Sequence, residues 1–229
     1  MISMKKKITI GSDYLTENSR YIPKNKQNGL MKGEHRIWIE SVKGLTRSEY
    51  FSLLDAIRNF SRPPLVNRNI ALVSIALNNG LRASDVVSLR VGDVLKKNKS
   101  KIIEQKTGKS KTIYLNNCRE EIDDYLEELD YEDENDWLFP GNNKEGHFSV
   151  HGFYQMVVRM ARKTGDEKLV QKIGTHSFRK TFGNTLFENG TDVEIISQIF
   201  NHSSQKVTRH YLGIEQEDLD NVVENFKFE

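Results

Sequence analysis

Two histidines, an arginine and a tyrosine stand in one C-terminal stretch of this chain at intervals suited to work on a phosphate. The stretch opens with Thr175-His176-Ser177-Phe178-Arg179-Lys180-Thr181-Phe182. It passes through an apolar, helix-like segment to Asn201-His202-Ser203-Ser204 and closes on Arg209-His210-Tyr211-Leu212-Gly213. His202 follows His176 by 26 residues, and Tyr211 follows His202 by nine. A guanidinium holds phosphate oxygens through paired donors, an imidazole exchanges a proton near neutral pH, and a phenol is an oxygen nucleophile. Together they are equipment for phosphoryl transfer without a metal. Each residue alone has a plainer reading, since the chain holds eight tyrosines and most arginines and histidines serve surfaces, caps or cores.

Two upstream motifs belong with this stretch. Gly80-Leu81-Arg82-Ala83-Ser84-Asp85 adds a second arginine, with a carboxylate one helical turn beyond it. Lys106-Thr107-Gly108-Lys109 places lysines at a turn, with Lys111 two residues further on. His147 and His151 are four apart, but Ser149 and Gly152 make that segment a loop entering a helix with no third ligand nearby in sequence, and His210 stands apart, so no metal site is expected. Gly141-Asn142-Asn143-Lys144 reads as a turn, and no glycine-rich phosphate loop is present. No cofactor is implied.

Composition bounds the rest. The 229 residues are 37% hydrophobic and 29% charged, a globular balance with room for one domain and a small appendage. The longest apolar run, Ile70 to Leu77, is eight residues interrupted by Ser74, far short of a bilayer span. Met4-Lys5-Lys6-Lys7 is not followed by an apolar core, so no signal peptide and a cytoplasmic location are expected. Cys118 is the only cysteine, which excludes an intrachain disulfide. The net charge of +2 conceals an asymmetry: residues 1–111 carry 22 Lys and Arg against 9 Asp and Glu, and residues 112–229 carry 12 against 23. The N-terminal half is the polyanion-facing candidate. Eleven carboxylates between Arg119 and Asp136 read as a solvated face turned away from any polyanion.

The elements that must position these residues are mostly helical. Thr46-Arg47-Ser48-Glu49 forms a capping box, and Tyr50, Phe51, Leu53, Leu54 and Ile57 continue it at helical spacing. Ile70 to Asn78 predicts a buried helix ended by Asn79-Gly80, and Ser84 or Asp85 is placed to cap a third helix through Leu89. Val94, Ile102-Ile103 and Thr112-Ile113-Tyr114-Leu115, with a turn at Thr107-Gly108, predict a short sheet built on a hairpin. Helices are predicted for Arg119 to Leu129, from a cap at Ser149 to about Lys163, for His176 to Asn189 and for Asp192 to Phe200, with Trp137 to Pro140 extended and buried. The predicted class is mainly α with a small antiparallel β-sheet.

The two upstream motifs and the His-x-x-Arg, His and Tyr positions, taken in this order and spacing, resemble those of the tyrosine recombinase family, which includes phage integrases and Xer-type recombinases. The resemblance covers roughly residues 44–214. It implies that this segment is a catalytic domain, that residues 1–43 are a basic arm or a vestige of the larger N-terminal core-binding domain usual in the family, and that residues 215–229 are a tail exchanged between subunits or folded back. Two departures are Lys180, where a histidine often follows the motif arginine, and Asn201, where glycine is common.

What the resemblance implies for function is a site-specific DNA recombinase of the integrase or invertase type, working through a 3′-phosphotyrosyl intermediate. Tyr211 would be the nucleophile, Arg82 and Arg179 the holders of the nonbridging oxygens, His176 the general base, His202 a hydrogen-bond donor to phosphate, and Lys106 the general acid. Asp85 would orient Arg82 or a neighbouring backbone group, and Lys109 and Lys111 would bind DNA. Implied partners are double-stranded DNA, three further copies on two DNA sites, and an accessory DNA-bending protein, with no membrane. The alternatives are a non-cleaving DNA-binding regulator on the same scaffold and a type IB topoisomerase.

Overall fold

Helix α1 (Arg47–Phe60) begins at the capping box the sequence places there. Thr46 Oγ1 accepts from the Glu49 amide at 3.2 Å, and Glu49 Oε2 accepts from the Thr46 amide at 2.7 Å, so two donors orphaned at the helix start find partners. The computed structural model describes residues 44–142, 146–214, 220 and 223–227. Helix α2 (Val66–Asn78) follows a short 3₁₀ turn at Pro63–Leu65 and is buried without a break from Asn69 to Ala76. Its lack of a polar face suits a central helix, and α1 packs on one side of it.

Gly80 ends that segment at a φ of +54°, and a Cβ there would lie 2.5 Å from the Phe182 ring. Only glycine meets both demands. Helix α3 (Ala83–Val87) then starts from Arg82 with no side-chain cap. Neither Ser84 nor Asp85 caps it; Asp85 lies inside its first turn and is used elsewhere. Val94, expected in the sheet, closes a one-turn helix, α4 (Val91–Val94), because the Leu95 amide is held by the Val91 carbonyl. The sheet is a single antiparallel hairpin of β1 (Lys99–Ile103) and β2 (Ser110–Tyr114), registered so that Ile102 faces Lys111 and Ser100 faces Ile113. Asn79 anchors it to the end of α2, its Oδ1 accepting from the Tyr114 amide at 2.7 Å.

A 3₁₀ turn at Asn116–Cys118 leads into α5 (Arg119–Glu128), whose buried Ile122 and Tyr125 pack on α2 while Glu120, Asp123, Asp124, Glu127 and Glu128 are exposed. Helix α6 (Val150–Lys163) starts at Ser149, whose side chain accepts from the Gly152 amide, and it packs on α1. Helix α7 (Glu167–Lys172), which the sequence pattern does not announce, is a short turn capped by Asp166. Helices α8 (Ser177–Glu188), α9 (Val193–Ile199) and α10 (Gln205–Leu212) pack on one another, and α8 also packs on α2. The chain is thus mainly α with one small antiparallel sheet, and its core runs between α1, α2, α5 and α6. The arm 1–43, and Leu219 and Val222 of the tail, lie outside the described residues. Val223 and Phe226 are exposed. Among the described residues no helix is long and apolar enough to cross a membrane.

Candidate active site

Phe200 is the apolar post around which the site is assembled. It is fully buried just after α9. The Arg179 guanidinium lies over its ring at 4.1 Å, and the rings of His202 and Tyr211 stand 5.2 and 5.6 Å from it, centre to centre. Arg179, one turn into α8 and 2% exposed, donates to the Gly80 carbonyl at 2.8 Å through one terminal nitrogen. It donates to the Phe200 carbonyl at 2.8 Å through the other, which also lies 3.4 Å from His202 Nε2. The upstream Gly-Leu-Arg motif and the C-terminal stretch therefore meet at one guanidinium, 99 residues apart in sequence.

Arg82 is held in a different way. Its Nη1 is 2.7 Å from Glu104 Oε1 and 3.6 Å from Asp85 Oδ2, and both carboxylates are fully buried; the pairs are close ionic contacts without hydrogen-bond alignment. Thr107 donates to Glu104 at 2.6 Å, and the Gln105 amide donates to Asp85 Oδ1 at 2.9 Å. Burial alone would raise the Glu104 carboxyl, but the Thr107 hydroxyl and the charges of Arg82 and Lys111 outweigh it and hold the group below the usual range. The hairpin is thereby bolted to α3. At its tip, Lys109 Nζ donates to the Asn201 carbonyl at 3.3 Å, and the Asn201 side chain donates to the Ser110 carbonyl at 3.3 Å. Asn201 sits at a φ of 53°, which explains both the glycine common there in the family and the tolerance of asparagine.

The nucleophile candidate comes from α10, which Gly213 ends at a φ of 75°. The Tyr211 hydroxyl is covered and without a hydrogen-bond partner, and burial pushes its pKa up, against the pull of Arg179 and Arg82. Its ring meets His202 edge-on at 5.6 Å, and Lys180 Nζ lies 5.7 Å from the ring centre. Lys180, where the family often has histidine, thus offers a cation to the Tyr211 ring. His202 Nδ1 pairs with the buried Thr208 hydroxyl at 2.8 Å, which fixes the ring and leaves Nε2 toward Arg179. Burial, Arg179 and Arg82 lower His202 to about 4. His176, at the start of α8, is also lowered to about 4, by protein around the ring and by Arg179, Lys106, Arg82 and Lys180. Both imidazoles are neutral at neutral pH, the state an acceptor of the phenolic proton requires.

Arg82, Arg179, His176, His202 and Tyr211 are therefore brought together, with Asp85 beside Arg82. Lys106 is exposed at the hairpin tip, close enough to act electrostatically on His176. Lys109 reaches the Asn201 loop. Lys111, grouped with Lys109 on sequence as a DNA contact, instead faces inward and is 6% exposed. The sequence reading missed Glu104, Phe200 and Thr208. Glu104 was legible in one respect: it shares the parity of Ile102, so the strand pattern turns it inward. His147 is spent on the edge of Trp137 at 5.0 Å and on the Phe148 carbonyl, and His151 is exposed; among the described residues no three ligating side chains are placed to hold a metal.

A mainly helical domain that gathers two arginines, two histidines and a tyrosine around one buried ring, beside a lysine-bearing hairpin, has the make-up of a strand-transferase catalytic domain. The model of the phage integrase family matches residues 43–217, and the chain belongs to that family, the tyrosine recombinases. The chain is 32% identical over 151 residues to the probable integrase/recombinase YoeC of Bacillus subtilis (strain 168), covering 66% of this chain and 80% of that one. It is 28% identical over 214 residues to the tyrosine recombinase XerD of Listeria monocytogenes serotype 4b, covering 87% and 69%. Its fold is similar to that of XerH site-specific recombinase bound to difH substrate in a pre-cleavage complex, with a TM-score of 0.62 at 22% identity, over 81% of this chain and 55% of that one. The chain thus spans about half the length of that structure, and half of the XerD of Rhizobium meliloti.

Proposed function

We propose that this chain is a site-specific DNA recombinase that cleaves and rejoins duplex DNA through a covalent link at Tyr211. The observation that carries the reading is the packing of Arg179, His202 and Tyr211 about Phe200, with Arg82 and His176 in electrostatic reach. Arg82 and Arg179 hold the nonbridging oxygens of the scissile phosphate, and the His202 ring adds a donor. The Tyr211 oxygen attacks phosphorus as the bond from phosphorus to the 5′-oxygen breaks. The phenolic proton passes to neutral His176, and the leaving 5′-oxygen takes a proton from Lys106. A partner strand's 5′-hydroxyl attacks the phosphotyrosine in the reverse sense and releases Tyr211, so the bond energy is conserved and no cofactor is consumed.

Residues 44–214 form the catalytic unit, and four copies work on two DNA sites, with a DNA-bending protein as a possible further member of the assembly. The lysines of the N-terminal 43 residues supplement the grip on the phosphate backbone, each contact adding about −0.9 to the slope of log affinity against log salt. A regulator that only binds DNA has no use for an in-place phenol with its hydroxyl buried among cations, and a topoisomerase is told apart by whether the cut strand is passed to a second duplex.

The test is a nicked suicide duplex carrying a site enriched from a random pool by the full chain, with the adduct mapped by mass spectrometry. A covalent link at Tyr211, lost in Tyr211→Phe, is the expected result. An adduct at Tyr154 or any other residue, or cleavage surviving Tyr211→Phe, overturns the assignment.

A further inference from the structure

Lys111 has no role in that account, and its placement calls for one. It lies on the inward row of β2 with Ile113, opposite Ile102, where an aliphatic residue would fit the strand pattern. It is 6% exposed, and its Nζ is covered and has no hydrogen-bond partner. A buried ammonium without a partner is costly, so such a group is retained for something other than stability. Glu104 from the end of β1, Arg82 and Asp85 from α3, Arg179 from α8, and Phe200 and His202 from the segment between α9 and α10 all face it; the Phe200 ring centre is 5.8 Å from Nζ.

The charges of that group balance without Lys111. Two guanidinium groups, Arg82 and Arg179, are offset by two buried carboxylates, Glu104 and Asp85, and His176 and His202 are neutral at neutral pH. A phosphodiester brings one negative charge. We propose that Lys111 supplies the matching positive charge: it takes up a proton as the scissile phosphate enters, so that substrate engagement and protonation of Lys111 are one coupled step. The inference rests on the reading of this cluster as the phosphate pocket. In the free chain the amine is lowered to about 7, by burial first and then by Arg179 and Arg82, with Glu104 and Asp85 pulling the other way. Above that pH it is mostly neutral. An added anion in the same pocket favours the charged form, so the midpoint rises on binding and a proton is taken up from solvent. Lys106, exposed at the hairpin tip, lacks the burial that sets Lys111 apart.

The experiment uses the full chain labelled with carbon-13 at lysine Cε, with Lys111→Arg identifying the Lys111 signal. In the free chain the signal titrates near pH 7; in complex with the pool-enriched duplex its midpoint rises by at least about two units, and near pH 8 each complex takes up most of one proton. The same duplex with a neutral methylphosphonate at the scissile position abolishes both changes. Lys111→Met cleaves about a hundredfold more slowly, with a flat rate between about pH 6 and pH 8 and a melting temperature no lower than wild type; Lys111→Arg restores the rate but not the proton uptake. An unmoved midpoint in a complex that does form the Tyr211 adduct overturns the proposal, as does a shift that persists with the methylphosphonate. A shift without any Tyr211 adduct would instead overturn the strand-transfer reading and leave the role of Lys111 standing.

Discussion

The two arginines of the site are kept in place by opposite means. Arg179 is 2% exposed and donates to neutral carbonyls, those of Gly80 and Phe200, whereas Arg82 leans on the buried carboxylates of Glu104 and Asp85. Carbonyls orient a guanidinium without cancelling its charge, and carboxylates cancel most of it. On the proposed reading Arg179 is therefore the stronger source of field at the phosphate, even though burial and the nearness of Arg82 lower its pKa to about 10. Arg82 works as much on the protein as on the substrate, because Glu104 and Asp85 reach from it into the hairpin that carries the lysines. Equivalent chemistry in a family motif can thus rest on unequal physical supports.

The largest effect expected from this contrast is on stability, at Arg82. Arg82→Ala leaves Glu104 and Asp85 buried without their cation and should cost about 3–5 kcal/mol of unfolding free energy. Urea denaturation checks it, and restoring part of the loss with Glu104→Gln in the Arg82→Ala background would tie the cost to the stranded carboxylate. A loss below about 1 kcal/mol would erase the distinction between the two arginines.

Arg179→Ala should act mainly on the reaction, slowing single-turnover cleavage by about 10²–10³, or 3–4 kcal/mol in the barrier, while duplex affinity falls far less. Parallel losses in binding and cleavage would make Arg179 a phosphate anchor of the same kind as Arg82.

Acid should separate the pair on a finer scale. Glu104 is held below the ordinary carboxyl value of 4.5 in the folded chain, so its contribution to stability is present above about pH 4.5 and is lost as the pH falls through the folded value. Between about pH 6 and pH 3 the wild type should lose more stability than Glu104→Gln does, read as converging melting temperatures. Equal slopes would mean that Glu104 is not ionically engaged with Arg82.

The smallest effect is expected at the turn behind Phe200, whose carbonyl holds Arg179. Asn201 at a φ of 53° pays little for its conformation, so Asn201→Gly should leave stability within about 0.5 kcal/mol and cleavage unchanged. A large loss of cleavage would show that the link from the Asn201 side chain to the Ser110 carbonyl, and not the backbone turn, sets the pocket.

Much of this was legible in the sequence, and the legible part is local. The capping box at Thr46 and Glu49, the serine cap of α6, the hairpin turn at Gly108 and the buried run of α2 follow from hydrogen bonds and side-chain periods that span only a few residues. The identities and spacing of Arg82, His176, Arg179, His202 and Tyr211 named the chemistry. Local rules misplaced Val94, credited Ser84 or Asp85 with a cap, and passed over α7 and α10, since short helices are stabilised by what they pack against more than by their own sequence. Only the tertiary structure decided that Glu104 joins Asp85 against Arg82, that Arg179 reaches back to Gly80, and that Lys111 points into the pocket while Lys106 stays in solvent. Those are pairings between distant segments, and the worth of a charge depends on the burial and the partners that such pairings create.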